Sequence, residues 1–355
     1  MNALVAPLFG LLCGTIFGVI LQRGRVCFNA AFRDLFFTGE NSLFKAGLLT
    51  IALSALSFTG LAQLGLIKLA PSVLNWGGVI IGGLFFGMGI ALAGGCASGM
   101  TYRIGEGNTV AIVAGLAYGL SAWSTSSGLL RPLTKWAANL DLAAINADPA
   151  YYNVGSGGKI GPTVATLMNL NPWIPAIVFA VLIFIYLFAT KTTKRADVSM
   201  PWWAIGIALT LINSFTYVIS ARFANRQYGL GITSGWTNLL QAFTLSQNGA
   251  DKPPVVNFAG GIVLGVILGA FLSALVTREF KWRLPKQGKT YALAALGGLM
   301  AGFGAAFAKG CSVGHFLTGT SFVSVGDILA SLMFVLGNWL MIRLLIGKTT
   351  SIIEI

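Results

Sequence analysis

The segment Gly82 to Gly99, GGLFFGMGIALAGGCASG, decides the fold because the chain contains it twice. The second copy, Gly297 to Gly314, reads GGLMAGFGAAFAKGCSVG and pairs with the first without a gap, 215 positions later. Identical residues occupy 10 of the 18 paired positions, including Cys96 and Cys311. In each copy an apolar helix runs into a Gly-Cys-x-x-Gly break, followed by a segment too short to cross a bilayer. Duplicated broken helices are typical of transporter-like sites near the membrane midplane.

The composition is that of an integral membrane protein. Of its 355 residues, 55% are hydrophobic and only 9% are charged, and the mean hydropathy is +0.79. Soluble domains carry roughly a quarter charged residues. The chain has no basic-aromatic cluster of the kind that binds nucleic acid. Its four cysteines form no CxxC pair, and with a single histidine they predict neither a metal site nor a cofactor.

Nine apolar segments are each close to the roughly 20 residues that cross the hydrocarbon core. They lie at about 4–21, 44–67, 76–94, 108–127, 172–190, 201–220, 256–277, 290–309 and 323–345. Four shorter segments predict half-helices that enter and leave the membrane on one side: 25–37, 229–243, and the stretches after the two breaks. The sequence therefore predicts an all-α integral membrane protein with about nine transmembrane helices and four short re-entrant half-helices.

The order of these segments predicts an inverted repeat. Spans one to four recur as six to nine, and an odd number of helices between a unit and its copy inverts the second unit about a pseudo-two-fold axis. We expect a first repeat at 1–128, an external loop with the linking fifth span at 129–200, and a second repeat at 201–355. The stretch 129–171 is either a partly ordered external cap or a plain linker.

The distribution of basic residues predicts the orientation. The first span has Arg23 and Arg25 behind it and no Lys or Arg ahead of it, which is the reverse of a secretory signal. With the N-terminus outside, the dense basic clusters at 191–195 and 278–289 fall inside, as the positive-inside rule requires. The net charge of +13 is explained mostly by this bias. We therefore expect the N-terminus outside and the C-terminus inside.

Each Gly-Cys break predicts an anion site. A half-helix that starts at membrane depth has unpaired amides and the positive end of its dipole at its N-terminus, and flanking glycines permit close ligand approach. The candidate residues of the two breaks are Gly95, Ala97, Ser98 and Gly99 in the first copy and Gly310, Ser312, Val313 and Gly314 in the second.

The cysteines suggest a ligand that carries soft sulfur. The inverted repeat puts Cys311 at the outer break and Cys96 and Cys27 at inner ones, so the three thiols line one path. A thiol is a weak donor and a polarizable acceptor, which suits an anion with a terminal sulfur. Ile232 takes the place of Cys27 in the second repeat, and Cys13 reads as a buried packing residue.

The remaining polar candidates each have two interpretations. His315 donates to an anion at the outer mouth or is a solvated interface histidine. Arg103 and Lys309 steer anions or simply lie at the interface. Glu106 and Asp327 lie at interfaces or cap helices, and neither is paired in sequence with a second carboxylate, as acid–base catalysis would want. We therefore do not expect an enzyme.

Three linked motifs carry a resemblance. LQRGRVCFNAAFRD (Leu21 to Asp34), GIALAGGCASGMTYRIGEG (Gly89 to Gly107) and AKGCSVGHFLTG (Ala308 to Gly319) resemble, in order and nearly end to end, the YeeE/YedE family of bacterial thiosulfate transporters. The resemblance implies an inner-membrane bundle that takes up thiosulfate from the periplasm. It also implies that Cys311, Cys96 and Cys27 hand the ion inward through S–H to sulfur contacts.

The resemblance also bears on partners and alternatives. It implies contact with membrane lipid and a small TusA/YeeD-like sulfur carrier on the cytoplasmic side, which we expect to be a separate chain. Three alternatives to thiosulfate transport remain at this point. They are a membrane sulfurtransferase that forms a cysteine persulfide, a transporter of another sulfur or selenium compound, and a scaffold that only docks a sulfur carrier through its inner basic loops.

Overall fold

The structure is a computed structural model that describes residues 5–138, 141–142, 148–153, 160–193, 200–243 and 256–348. Its helices are α1 (Val5–Arg23), α2 (Phe28–Phe37), α3 (Ser42–Gln63), α4 (Trp76–Leu92), α5 (Ala97–Gly105), α6 (Thr109–Ser126), α7 (Arg131–Ala138), α8 (Val164–Leu167), α9 (Trp173–Ala189), α10 (Trp202–Phe223), α11 (Thr233–Phe243), α12 (Phe258–Val276), α13 (Gly288–Phe307), a π-helix (Ser312–Gly319), a 3₁₀-helix (Thr320–Phe322) and α14 (Val325–Lys348). Two-residue strands, β1 (Leu74–Asn75) and β2 (Asp141–Leu142), pair antiparallel.

A helix occupies every predicted span. Within the described ranges, seven helical segments are long and apolar enough to cross a membrane: Val5–Phe37 (α1 with α2), α3, Trp76–Gly105 (α4 with α5), α10, α12, α13 and α14. The other two predicted spans are α6, with 18 residues, and α9, with 17. The expectation of an all-α, multi-pass membrane protein is therefore confirmed.

Short helices also stand where half-helices are expected. They are α2, α5, α11 and the π-helix, with 10, 9, 11 and 8 residues. The two breaks differ in one respect, because α-helical hydrogen bonding follows Cys96 whereas π-helical bonding follows Cys311. Single π-helical turns are frequent at functional sites.

The two copies of the repeated segment pack against each other. A Cβ placed on Gly82 would lie 2.7 Å from the Gly304 carbonyl oxygen, and one on Gly89 would lie 2.8 Å from the Gly297 oxygen. Gly297 is the repeat partner of Gly82, and Gly304 is the repeat partner of Gly89. Replacing each residue by its repeat partner therefore converts the first contact into the second. This close backbone packing, which only glycine allows, is what a two-fold relation between α4 and α13 produces.

The same exchange holds beyond these two helices. Gly87 of α4 packs on the backbone of α14, and its repeat partner Gly302 packs on the backbone of α6. Likewise, the contact of α1 with α12 has a counterpart in that of α10 with α3. These paired contacts support a repeat; the unit boundaries 1–128, 129–200 and 201–355 stay predictions.

Part of the stretch 129–171, which is predicted to be external, packs on the bundle. The loop after α3 exchanges backbone hydrogen bonds with it: the Leu69 amide donates to Tyr151 (2.8 Å) and the Asn153 amide donates to Leu69 (2.8 Å). Thr163 caps α8 in a capping box with Thr166. Residues 139–140, 143–147 and 154–159 of the predicted cap, and 194–195 of the basic cluster at 191–195, lie outside the described residues.

Candidate functional site

All three candidate cysteines occupy the same structural position. Cys27 is the N-cap residue of α2, Cys96 that of α5, and Cys311 that of the π-helix. All three are at most 1% exposed. The break that the sequence predicts at each cysteine is therefore the start of a short helix, where the first amides have no intrahelical acceptor.

Two of these helix starts converge on one sulfur. The Sγ of Cys96 accepts hydrogen bonds from the Phe28 amide at the start of α2 and from the Gly99 amide in the first turn of α5, each at 3.3 Å. The Sγ of Cys27 lies 3.9 Å from it and donates to it. Two helix dipoles thus direct their positive ends at a contacting pair of thiols, which we call the thiol pair.

Gly99 and Ser98 complete the surroundings of the thiol pair. A Cβ on Gly99 would lie 2.7 Å from the Cys27 sulfur, so a side chain there would separate the two thiols. The Ser98 hydroxyl lies 3.4 Å from the Cys96 sulfur. Ala97, Ser98 and Gly99 are all buried, and the structure brings these predicted residues together with Cys27 and Cys96.

Cys311 lies apart, in a cavity of about 240 Å³ that we call the Cys311 cavity. Its lining includes the start of α11, at Ile232 and Thr233, and the start of the π-helix, at Cys311 and Gly314. Two short-helix N-termini therefore meet here as they do at the thiol pair, with Ile232 in the place of Cys27. The Ser312 hydroxyl is fully buried beside it and has no hydrogen-bond partner among the described residues.

Two cationic side chains line the Cys311 cavity, Arg226 and Lys309. Arg226 stacks its guanidinium 5.3 Å from the ring of Tyr228, whose hydroxyl donates to the Gly314 carbonyl (2.8 Å). No Asp or Glu is among the described residues that line the cavity. The cavity is therefore suited to a small anion.

Lys309 holds an unusual backbone conformation. Its φ is +67°, and its repeat partner Gly94 has a φ of +71°. A left-handed residue other than glycine costs about 1–2 kcal/mol, and such residues cluster at functional sites. At this left-handed position the first copy has glycine, the residue that tolerates the conformation best, whereas the second copy has Lys309 at the edge of the cavity.

A second cavity, of about 170 Å³, lies beside Arg103, and we call it the Arg103 cavity. It is lined by the end of α4 through Gly95, by Met100 and Arg103 of α5, and by Thr290 at the start of α13. The Cys311 cavity begins just past the other end of α13. A 20-residue helix is about 30 Å long, so the two cavities lie toward opposite faces of the bundle.

Three residues at or beside the Cys311 cavity were not predicted from the sequence: Arg226, Tyr228 and Tyr118. Tyr118 is fully buried, and its hydroxyl lies 2.6 Å from that of Thr233 at the Cys311 cavity. Arg226 had a usable signal, since the predicted topology places it outside, where basic residues are disfavoured. The two tyrosines had none, because aromatic residues in membrane helices are common.

The position of His315 differs from both positions that the sequence suggested. Rather than lying at a mouth or a solvated interface, it is 2% exposed. Its Nδ1 is paired with the Asp327 carboxylate and its Nε2 contacts the Ala308 carbonyl oxygen. A Cβ on Gly310 would lie 2.7 Å from the imidazole ring, so this glycine makes room for the histidine. Both ring nitrogens are therefore engaged in holding the break at Cys311.

Two acidic residues also lie deeper than an interface. Asp327 is buried with His315, in the first turn of α14. Glu106 is the C-cap residue of α5 and is 1% exposed. The side-chain amide of Gln22 donates to Glu106 (3.4 Å) and to Glu279 (2.6 Å). Cys13, in contrast, is packed inside the bundle and lines neither cavity, as expected of a packing residue.

Comparisons with known proteins identify the family of the chain. A family model described as sulphur transport matches residues 23–340. The "Thiosulfate transporter TsuA" of Spirochaeta thermophila is 44% identical over 339 residues, which cover 96% of this chain and 99% of that protein. The protein of the same name from Escherichia coli K12 is 30% identical over 348 residues, covering 94% of this chain and 92% of that one.

A further relative matches over a shorter stretch. The "Probable transporter YedE" of Escherichia coli K12 is 41% identical over 111 residues, which are 30% of this chain and 27% of that protein. These relatives are named as transporters and not as enzymes, in agreement with the expectation from the sequence. Since the family model spans most of the chain and two relatives match nearly end to end, the chain belongs to the sulphur-transport family, YeeE/YedE.

Proposed function

We propose that this protein carries thiosulfate across the bacterial inner membrane from the periplasm to the cytoplasm. Two relatives that match nearly end to end are named thiosulfate transporters, which supports the choice of substrate. The basic residues of the chain support the orientation: the N-terminus lies in the periplasm and the C-terminus in the cytoplasm. The Cys311 cavity then faces the periplasm and the Arg103 cavity the cytoplasm.

The observation that carries the proposal is the convergence of two helix N-termini on the Cys96 sulfur. Thiosulfate is a dianion with three hard oxygens and one soft terminal sulfur. Amides at helix starts favour its oxygens, and thiols favour its terminal sulfur, because an S–H group is a weak donor to a polarizable acceptor. The site therefore matches both ends of this ion.

The proposed path has three binding positions: the Cys311 cavity, the thiol pair and the Arg103 cavity. Arg226 and Lys309 attract the ion into the Cys311 cavity, where the first amides of two short helices and the unpartnered Ser312 hydroxyl complete its coordination. The ion then passes the buried region near Tyr118 to the thiol pair. From there it reaches the Arg103 cavity. Neither cavity reaches Cys27 or Cys96, and both cysteines are buried, which corresponds to a closed state of this proposed path.

The thiols act without covalent chemistry in this proposal. A thiolate would repel the anion electrostatically, so the thiols remain neutral and donate S–H to the terminal sulfur while no bond forms or breaks. A small TusA/YeeD-like carrier on the cytoplasmic side is the proposed acceptor of the delivered sulfur compound.

We expect cells without other thiosulfate importers to accumulate radiolabelled thiosulfate when they express this chain, in a saturable manner and above an empty-vector control. Selenosulfate, which has a soft terminal atom, should compete better than sulfate, which has none. Intact-mass analysis after exposure to thiosulfate should show no added sulfur. Accumulation at the level of the empty vector would exclude the transporter, and a mass increase of one sulfur atom on a cysteine would favour the sulfurtransferase alternative.

A further inference from the structure

The Arg103 cavity has the features of a binding site in its own right. It lies where α4 ends, α5 ends and α13 begins, and it includes the polar side chains of Arg103, Asn108 and Thr290. No Asp or Glu is among the described residues that line it. The cavity also reaches Gly95, which directly precedes Cys96, so it ends next to the thiol pair.

Arg103 is held in place on one side of its guanidinium group. Its Nη1 donates to the Gly94 carbonyl oxygen at 2.8 Å, and the group lies 5.9 Å from the ring of Tyr102. A Cβ on Gly95 would lie 3.5 Å from Nη1, so the glycine lets the guanidinium approach the break. A guanidinium has five N–H donors, and the hydrogen bonds to the Gly94 carbonyl and the Tyr102 side chain leave others available. The remaining donors suit bidentate binding of an oxyanion.

The charge of Arg103 lies close to the thiol pair. Its Nη1 contacts the Gly94 carbonyl oxygen, two residues before Cys96, and a Cβ on the intervening Gly95 would lie 3.5 Å from the same nitrogen. An anion at the thiol pair is therefore attracted toward the Arg103 cavity, and the hydrophobic remainder of the lining, such as Leu92 and Leu293, offers no competing charge.

We propose that the Arg103 cavity is a second binding site for a divalent sulfur oxyanion, on the side of the thiol pair opposite to Cys311. The inference rests on the proposed path but concerns binding at its far end. Arg103 is the principal ligand, and Thr290 and Asn108 are polar neighbours of the ion. This site receives the ion from the thiols and holds it before release. It also lets an oxyanion present on that side bind without passing the thiols.

The test uses sulfate as the probe and the purified full-length chain in detergent. Thr290→Cys places a reactive thiol in the cavity lining, where the native cysteines are buried. At constant ionic strength, sulfate should slow its reaction with an anionic maleimide several-fold. In the added Arg103→Gln background this protection should disappear, and the anionic reagent should react about tenfold more slowly because the attracting charge is gone. Arg103→Lys should retain part of both effects.

Gln287→Cys is the matched control, since Gln287 is exposed near the start of α13 and does not line the cavity. Labelling of Gln287→Cys should not respond to sulfate, with Arg or with Gln at position 103. A neutral maleimide should label Thr290→Cys equally fast in these two backgrounds, because the fold is the same in both. The inference would be overturned if sulfate failed to protect Thr290→Cys while Arg103 is present. It would also be overturned if sulfate protected Thr290→Cys equally well in the Arg103→Gln background. This readout requires no uptake, so it is separate from the test of transport.

Discussion

Replacing Cys96 with alanine is expected to reduce thiosulfate uptake by about ten- to a hundredfold, because a hydrogen bond to a charged partner contributes about 1.5–3 kcal/mol. The Cys96 sulfur lies at the point where the Phe28 and Gly99 amides and the Cys27 thiol meet. Its loss removes the group that the terminal sulfur of the ion would contact, and it leaves a small void in a buried site. The measurement is the initial rate of uptake of radiolabelled thiosulfate, normalised to the amount of protein in the membrane.

Cys13→Ala is the matched control for this variant. Cys13 is equally buried, at 0% exposure, but it lies in α1 and lines neither cavity. Its replacement leaves the same small void but removes no group at the thiol pair or at either cavity, so uptake should change less than about twofold. Equal rates for Cys96→Ala and Cys13→Ala would show that the Cys96 thiol has no part in transport.

Replacing Gly89 with leucine is expected to prevent folding of the bundle. A Cβ at this position would overlap the backbone nitrogen of Ala301, and the rest of a leucine side chain would force α4 and α13 apart. Backbone atoms cannot yield as a side chain can, so the cost exceeds the usual 1–3 kcal/mol or so of overpacking. We expect little or no monodisperse protein in size-exclusion chromatography after extraction from the membrane.

Gly60→Ala provides the control for this second variant. A Cβ on Gly60 would lie 3.7 Å from the ring of Trp173, an ordinary van der Waals distance, and alanine favours the helix by about 1 kcal/mol. This variant should elute like the wild type with the same or a higher melting temperature. A folded and transport-competent Gly89→Leu protein would contradict the assignment of the α4–α13 contact as a close backbone interface.

Much of the fold could be predicted because its signals are local. Membrane helices are long apolar runs, and each short helix begins at a residue that interrupts such a run, so Cys27, Cys96 and Cys311 could be placed at helix starts from the sequence alone. The repeat also indicated that α4 and α13 are related, and the glycines that both copies share are the residues that permit their close packing.

The rest depends on contacts between distant parts of the chain. The sequence could not show that Cys27 touches Cys96 while Cys311 lies apart, because three helix starts can meet in several ways. It could not pair His315, in the π-helix, with Asp327, in the first turn of α14, because the two meet only when α14 packs against the π-helix. The predicted topology marked Arg226 as unusual, but its approach to Cys311 could not be predicted, because it lies in the loop before α11 and tertiary packing sets the position of that loop.

The most direct test of the central claim is uptake of labelled thiosulfate into liposomes that contain only this purified chain. We expect uptake that saturates and exceeds uptake into protein-free liposomes. With Cys96→Ala, but not with Cys13→Ala, it should fall to near the protein-free level. No uptake by folded wild-type protein would contradict this claim, and would mean that a partner or a covalent sulfur step is part of the mechanism.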